Sequence, residues 1–235
     1  MSELRTDEEQ AEIVKKWWSE NSTSIVASIA VVGAGWFGWT SYQDSVQQTG
    51  EAASLVFNQL TEKVALPATE QTDAVKDEMQ ALAEQLKTEF SSTAYADYGR
   101  LFSARFAADA GNYEAAASEL EQLIETTQAG PIQYTAQARL AKVYVQLERL
   151  DDALALTDVI PDATYATQFE EARGDAFYRK QDFTQARAAY VRAVQAAQTI
   201  GLSDPGIQRK VDALVAIIAE QETVEQTNEA AADAS

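Results

Sequence analysis

The chain has 235 residues, 37 of them acidic and 18 basic, a formal net charge of −19, and neither cysteine nor histidine. Such a charge argues against nucleic acid as a partner, because phosphate binding needs clustered Lys and Arg. The missing residue types exclude a disulfide framework and thiol chemistry, and they remove the commonest general base and metal ligand.

Residues 1–20 hold six acids and three bases and read as a solvated tail. Within it, Asp7 to Trp18 has the composition of a short helix, and a docking peptide for a cytoplasmic regulator is the rival reading. Residues 21–43 follow as a transmembrane signal anchor. No charged residue lies between Glu20 and Asp44. The run from Ser22 to Tyr42, if helical, spans about 31 Å, close to the hydrocarbon thickness of a bilayer. Lipid offers no hydrogen bonds, so such a run must satisfy its own backbone as a helix. Trp17 and Trp18 precede it, and Trp36, Trp39 and Tyr42 occupy its far end, where amphipathic rings suit the headgroup layers. A buried helix of a soluble protein would be shorter and broken by polar residues. A cleaved signal peptide would have a short basic start and a small residue two before the cleavage point, where Trp39 stands before Ser41. The run therefore reads as an uncleaved anchor. Arg5, Lys15 and Lys16 precede it and no base follows until Lys63, which predicts a cytoplasmic N-terminus. Ala30, Ala34 and Gly38 form a small-residue stripe, a candidate contact for another membrane helix.

Residues 44–90 read as a helical linker with N-terminal helices. In Asp44–Lys63 the residues Ala52, Leu55, Val56 and Leu60 are predicted to share a face, with Gly50 as a soft point and Pro67 as the stop. In Asp73–Phe90 the apolar face is Val75, Met79, Leu82 and Leu86, with Thr72 or Thr69 as the cap.

Residues 91–224 carry an internal repeat. Tyr98–Thr127, Tyr134–Ile160 and Phe169–Gln195 align, with Tyr113, Leu150 and Phe183 equivalent at spacings of 37 and 33. Ala116, Ala153 and Ala186 follow at the same spacing, and Ala104, Ala141 and Gly174 recur upstream where two helices must approach closely. A period near 34 with small, aromatic, alanine and large apolar positions is the tetratricopeptide pattern. The third copy matches best. In the second, Thr157 stands where a large apolar residue is usual, and the first lacks the leading Leu-Gly pair. A helix pair cannot bury its apolar face alone, so the copies should stack into a solenoid. Asp204–Val224 is predicted to seal its end, with Asp204 as cap, Pro205 in the first turn, and Ile207, Val211, Leu214, Val215, Ile217 and Ile218 as the buried stripe. Residues 225–235 read as a disordered tail. The fold class is all-α: one transmembrane helix, then a tetratricopeptide-like solenoid.

No phosphate loop, dinucleotide fingerprint or zinc-protease motif occurs, and Gly33-Ala34-Gly35 lies inside the membrane run. Neighbouring acids such as Asp151/Asp152 and Glu170/Glu171 point about 100° apart on a helix and do not converge. An enzyme is not expected, and neither a cofactor nor a metal is. What remains is a binding surface. The first helix of each repeat lines the concave side of such a solenoid. The outward positions there are Lys142, Val145 and Gln146 in the second copy, and Glu171, Asp175, Tyr178 and Arg179 in the third. They form a candidate protein-binding groove of acidic character.

An acidic tail, one anchor and an outer repeat domain together resemble the bacterial YfgM family, ancillary subunits of the SecYEG translocon. The local likeness is clearest at Arg173-Gly174-Asp175-Ala176, at Ala186-Arg187-Ala188-Ala189-Tyr190, and at Phe90 to Ala96. The resemblance implies an inner-membrane protein with a periplasmic repeat domain. It implies association with the SecYEG translocon and with a PpiD-like periplasmic chaperone, a part in handing nascent secreted chains to folding factors, and a link to envelope-stress signalling. The family offers no catalytic residue. An envelope-assembly scaffold and a stress-response regulator acting through residues 1–20 are the alternatives.

Overall fold

The computed structural model describes the backbone of residues 7–233 and the side chains of residues 9–221 and 223. These residues form nine α-helices and one 3-10 turn, with no strand among them. The chain divides into two compact units, residues 1–52 and 53–235.

The helix α1 (Asp7–Val64) takes in the expected tail helix, the apolar run and the start of the linker, and Gly50 does not interrupt it. In the first unit the apolar run is unburied: Val31 and Phe37 are each 73 % exposed, and none of the most apolar window is covered by the rest of the protein. A core helix of a soluble protein would be covered. This is the one helix among the described residues long and apolar enough to cross a membrane.

The second unit contains the end of α1, then α2 (Asp73–Thr88), α3 (Ala94–Asp109), α4 (Tyr113–Thr126), α5 (Pro131–Gln146), α6 (Leu150–Leu156), the 3-10 turn Ala163–Tyr165, α7 (Ala166–Arg179), α8 (Phe183–Thr199) and α9 (Pro205–Asp233). The Thr72 side chain caps α2 by accepting from the Val75 amide at 3.4 Å. The buried face of α1 in this unit differs from the predicted one. Ala53 and Leu60 are buried, Val56, Phe57 and Val64 pack against them, and Leu55 is 65 % exposed. Phe57 decides this rotation, because its ring meets Tyr95, Tyr98 and Phe102 at centroid distances of 5.3, 5.2 and 6.3 Å.

The repeats are α3–α4, α5–α6 and α7–α8. Tyr113, Leu150 and Phe183 each open the second helix of a pair. The turns before them are built alike. The residue two before each helix, Gly111, Glu148 or Gln181, lies in the left-handed region with φ of 76°, 58° and 64°. Asn112 and Asp182 then cap α4 and α8, accepting from Ala115 and Gln185 amides at 3.2 and 3.0 Å. The equivalent Arg149 makes no cap, and α6 is correspondingly short. Thr157 ends it, buried, donating its hydroxyl to the Ala153 carbonyl at 3.0 Å. Ala116, Ala153 and Ala186 are completely buried, as expected for residues between close helices. At Gly174 even a methyl group would not fit, because an added Cβ would lie 2.5 Å from Cδ1 of Tyr190.

Helix α9 closes the stack. Asp204 Oδ1 accepts from Gly206 and Ile207 amides at 2.8 and 3.2 Å. Ile207, Val211 and Leu214 bury against Tyr190, Ala186 and Ala193, with Ile217 and Ile218 beside them. Val215, predicted in this stripe, is half exposed. The helix runs to Asp233, past the Val224 at which the sequence reading ends it. Ala, Glu and Gln dominate that extension and are strong helix formers, a preference the reading of low hydrophobicity left out. The last two residues of the expected tail, 234 and 235, lie outside the described residues.

Candidate protein-binding groove

The first helices α5 and α7 lie in succession with α9 after them, and between them is a groove of about 420 Å³. Five of the seven predicted groove residues line it: Val145, Gln146, Asp175, Tyr178 and Arg179. The remaining two, Lys142 and Glu171, are tied to its floor by ion pairs. Val145 is a correction in one respect. It is 4 % exposed, a buried floor residue and not an outward one, because α7 packs over that face of α5. Gln146, Tyr178 and Arg179 are exposed, and the Tyr178 ring leans on Phe183 at 5.6 Å. Arg179 pairs with Glu148 of the preceding turn.

The sequence reading missed the other wall: Tyr190 of α8 and Lys210, Ala213, Leu214 and Ile217 of α9. Lys210 is central. Its Nζ donates to Asp175 Oδ1 at 2.7 Å and Glu171 Oε1 at 2.9 Å, while Lys142 Nζ reaches Glu171 Oε2 at 2.5 Å. Tyr190 donates its hydroxyl to the same Asp175 oxygen at 2.7 Å. The floor is therefore charge-paired, and the acidic groove expected from the sequence is corrected to one whose carboxylates are already engaged. Burial works against the charge of Glu171, but its bonds to Lys142 and then Lys210 prevail and hold its carboxyl below the ordinary value. Burial likewise works against Lys210, and Asp175 and Glu171 outweigh it, raising the ammonium above the ordinary value. Burial first, then Asp175, pushes the Tyr190 hydroxyl well above the usual tyrosine range, so it remains a donor. Above this floor the groove offers Ile217 and the Tyr178 ring, with Arg179 at the rim and Leu214 buried beneath. Apolar surface with a few fixed polar groups is the usual composition of a binding pocket. Among the described residues no cluster of acidic side chains is placed to hold a metal ion.

In the first unit, Ala30, Ala34 and Gly38 are exposed along one stripe of α1, and nothing lies within 4 Å of a Cβ added at Gly38.

Stacked helical pairs, in a chain that also has one helix of membrane-crossing length, define the class, a tetratricopeptide-like repeat protein with a candidate membrane span. The model of the tetratricopeptide repeat-like domain family matches residues 15–216. A curated relative in Escherichia coli (strain K12), named ancillary SecYEG translocon subunit, is 30 % identical over 220 residues, covering 91 % of this chain and 99 % of that protein. Relatives with the same name in Neisseria gonorrhoeae and Haemophilus influenzae are 25 % and 27 % identical, covering 88 % and 82 % of this chain and 97 % and 92 % of theirs. No solved structure matches. The chain belongs to the YfgM family of ancillary SecYEG translocon subunits.

Proposed function

We propose that the protein is a non-enzymatic, single-pass adaptor of the bacterial inner membrane. Its N-terminus is cytoplasmic, following Arg5, Lys15 and Lys16, and its repeat unit is periplasmic. It associates with the SecYEG translocon and with a PpiD-like periplasmic chaperone, and it helps pass nascent secreted chains to folding factors. The stripe Ala30, Ala34 and Gly38 meets a partner's membrane helix. The groove around Tyr178, with Lys142, Val145, Gln146, Glu171, Asp175 and Arg179, holds a partner segment by apolar contacts over a charge-neutral floor. The observation that carries this reading is the match, along nearly the whole of both chains, to relatives named as translocon subunits.

The test is photocrosslinking in cells from a photoreactive residue at position 34 and another at position 178. The first is expected to capture a translocon subunit, and the second a periplasmic chaperone or a secreted chain. Capture of neither would overturn the reading. Capture of division or outer-membrane proteins from position 178 would replace it with the envelope scaffold.

A further inference from the structure

The junctions between successive first helices are not alike. Arg105, Lys142 and Asp175 are equivalent positions, spaced 37 and 33 residues like the turns themselves, on α3, α5 and α7. At two of them the next helix supplies the opposite charge. Lys142 meets Glu171 of α7, and Asp175 meets Lys210 of α9. At the first junction the next helix supplies the same charge. Arg105 and Arg139 of α5 line the same cavity and both are exposed at its mouth; protein crowded around the Arg139 guanidinium, and then the like charge of Arg105, hold it below its ordinary pKa. Among the described residues Arg105 pairs with Asp109 of its own helix at 3.5 Å, and Arg139 has no hydrogen-bonding or ionic partner. Among the described residues the one carboxylate paired with either arginine is Asp109, from Arg105's own helix and not from the next one. The counter-charge present at the other junctions is absent at this one.

The two arginines line one cavity of about 270 Å³ with Tyr98, Leu101, Phe102 and Ile132. It is a different cavity from the groove around Tyr178 and shares no lining residue with it. We propose that this cavity is a second protein-binding site, which takes the carboxylate of an aspartate or glutamate on a partner segment together with its apolar neighbour. Charge complementarity selects the occupant. Guanidinium groups present planar forks of N–H donors matched to a carboxylate, and two of them flank one anion. The Tyr98, Phe102 and Ile132 walls add apolar contact that a bare phosphate or a lipid headgroup would not use. A short segment with a single carboxylate meets only the arginines. An anionic bilayer presents many charges at once to a chain of net charge −19 and is repelled.

The test uses the full chain in detergent micelles and a fluorescein-labelled hexapeptide of leucine and phenylalanine around one aspartate. The comparison probes are the same peptide with asparagine in its place, and phosphatidylglycerol vesicles added to full chain reconstituted in neutral nanodiscs. The aspartate peptide is expected to bind the native chain about tenfold more tightly than the asparagine peptide, and Arg105→Gln or Arg139→Gln to remove that preference. Both variants are expected to melt at or above the native temperature, since each removes a like-charge repulsion. Equal binding of the two peptides, unchanged preference in the variants, or arginine-dependent binding of vesicles without binding of the peptide would each overturn the proposal. So would a clear drop in melting temperature in both variants, which would show that the arginines serve the fold.

Discussion

Gly174→Ala is expected to destabilise the repeat unit, although the same change in an open helix would stabilise it. Helix propensity alone favours alanine over glycine by about 1 kcal/mol. Here the new Cβ would sit 2.5 Å from Cδ1 and 3.0 Å from Cζ of Tyr190, and in contact with Cε1 as well. The ring cannot step aside freely. It is 3 % exposed, packed by Ile207, Val211 and Leu214 of α9, and its hydroxyl is held by Asp175 at 2.7 Å. Overpacking of this kind costs about 1–3 kcal/mol, and loss of a hydrogen bond to a charged group adds about 1.5–3 kcal/mol. Setting the propensity gain against the clash with part of the hydrogen bond leaves a net loss of about 1–3 kcal/mol, a fall in melting temperature of about 2–12 °C for a unit of this size. The assay needs care, because all four tryptophans, Trp17, Trp18, Trp36 and Trp39, lie in the first unit. Tryptophan fluorescence is blind to the repeats, so unfolding of the full chain in micelles is followed by far-ultraviolet circular dichroism and tyrosine fluorescence. Tyr190→Leu will itself be destabilising, but it removes the clash, so the two substitutions together should cost well under the sum of each alone. A Gly174→Ala protein as stable as the native one, or strict additivity with Tyr190→Leu, would refute the reasoning.

Gln181→Gly should raise stability by about 0.5–1 kcal/mol, because Gln181 holds a φ of 64° that glycine adopts without strain; the urea midpoint reads it, and no gain would mean the turn is unstrained. Arg192→Gln should cost about 3–5 kcal/mol, because it strands the buried Glu170, whose Oε2 lies 2.9 Å from Arg192 and whose other cation, Arg173, is 3.8 Å away. Adding Glu170→Gln should recover most of that loss in the same melt, and failure to recover would place the effect elsewhere. The floor of the groove should make stability fall at both ends of the pH scale. The lowered pKa of Glu171 contributes stability above its ordinary value of 4.5, lost as pH falls through the folded value. The raised pKa of Lys210 contributes stability below its ordinary value of 10.5, lost as pH rises through the folded value. Lys210→Gln should shrink the alkaline limb most, and equal limbs in native and variant proteins would sink the assignment.

Much of the fold was legible because tetratricopeptide packing needs small residues at fixed places. Ala116, Ala153 and Ala186, with Tyr113, Leu150 and Phe183 three before them, mark the second helices without any structure. Rotation of single helices was less legible. On α1, Ala52, Leu55, Val56 and Leu60 satisfy helical spacing as well as Ala53, Val56, Phe57 and Leu60, and the partners on α3 choose between them. The same holds for Val215, apolar and near the stripe but turned away from α8. The groove was half visible. Its α5 and α7 wall follows from aligning repeats, whereas α9 has no second helix to align. Extending the period once more from Lys142 and Asp175 by about 34 residues reaches the neighbourhood of Lys210, a signal that treating α9 only as a cap passes over. The pairing of Arg105 with Arg139 was not legible, because which charge comes opposite depends on helix rotation across a 34-residue separation.

The charged junctions also bear on how the stack keeps its register. The helices approach through alanines and Gly174, and small side chains pack almost equally well after a slip of one turn, which often sets alanine against alanine again. Burial energy discriminates weakly among such arrangements, because each alanine removes little apolar area from water. Lys142 with Glu171, and Lys210 with Glu171 and Asp175, discriminate strongly, since a slip of one helical turn moves the partners about 5.4 Å apart. These pairs are partly exposed and individually worth little, but they differ between right and wrong registers while the alanine contacts do not. The junction at Arg105 and Arg139 lacks that device, and Phe57, Tyr98 and Phe102 stand beside it. Those rings seat α3 against Phe57 of α1 and not against α5, so at the α3–α5 junction a carboxylate from a partner would supply the discriminating charge that the other junctions carry within the chain.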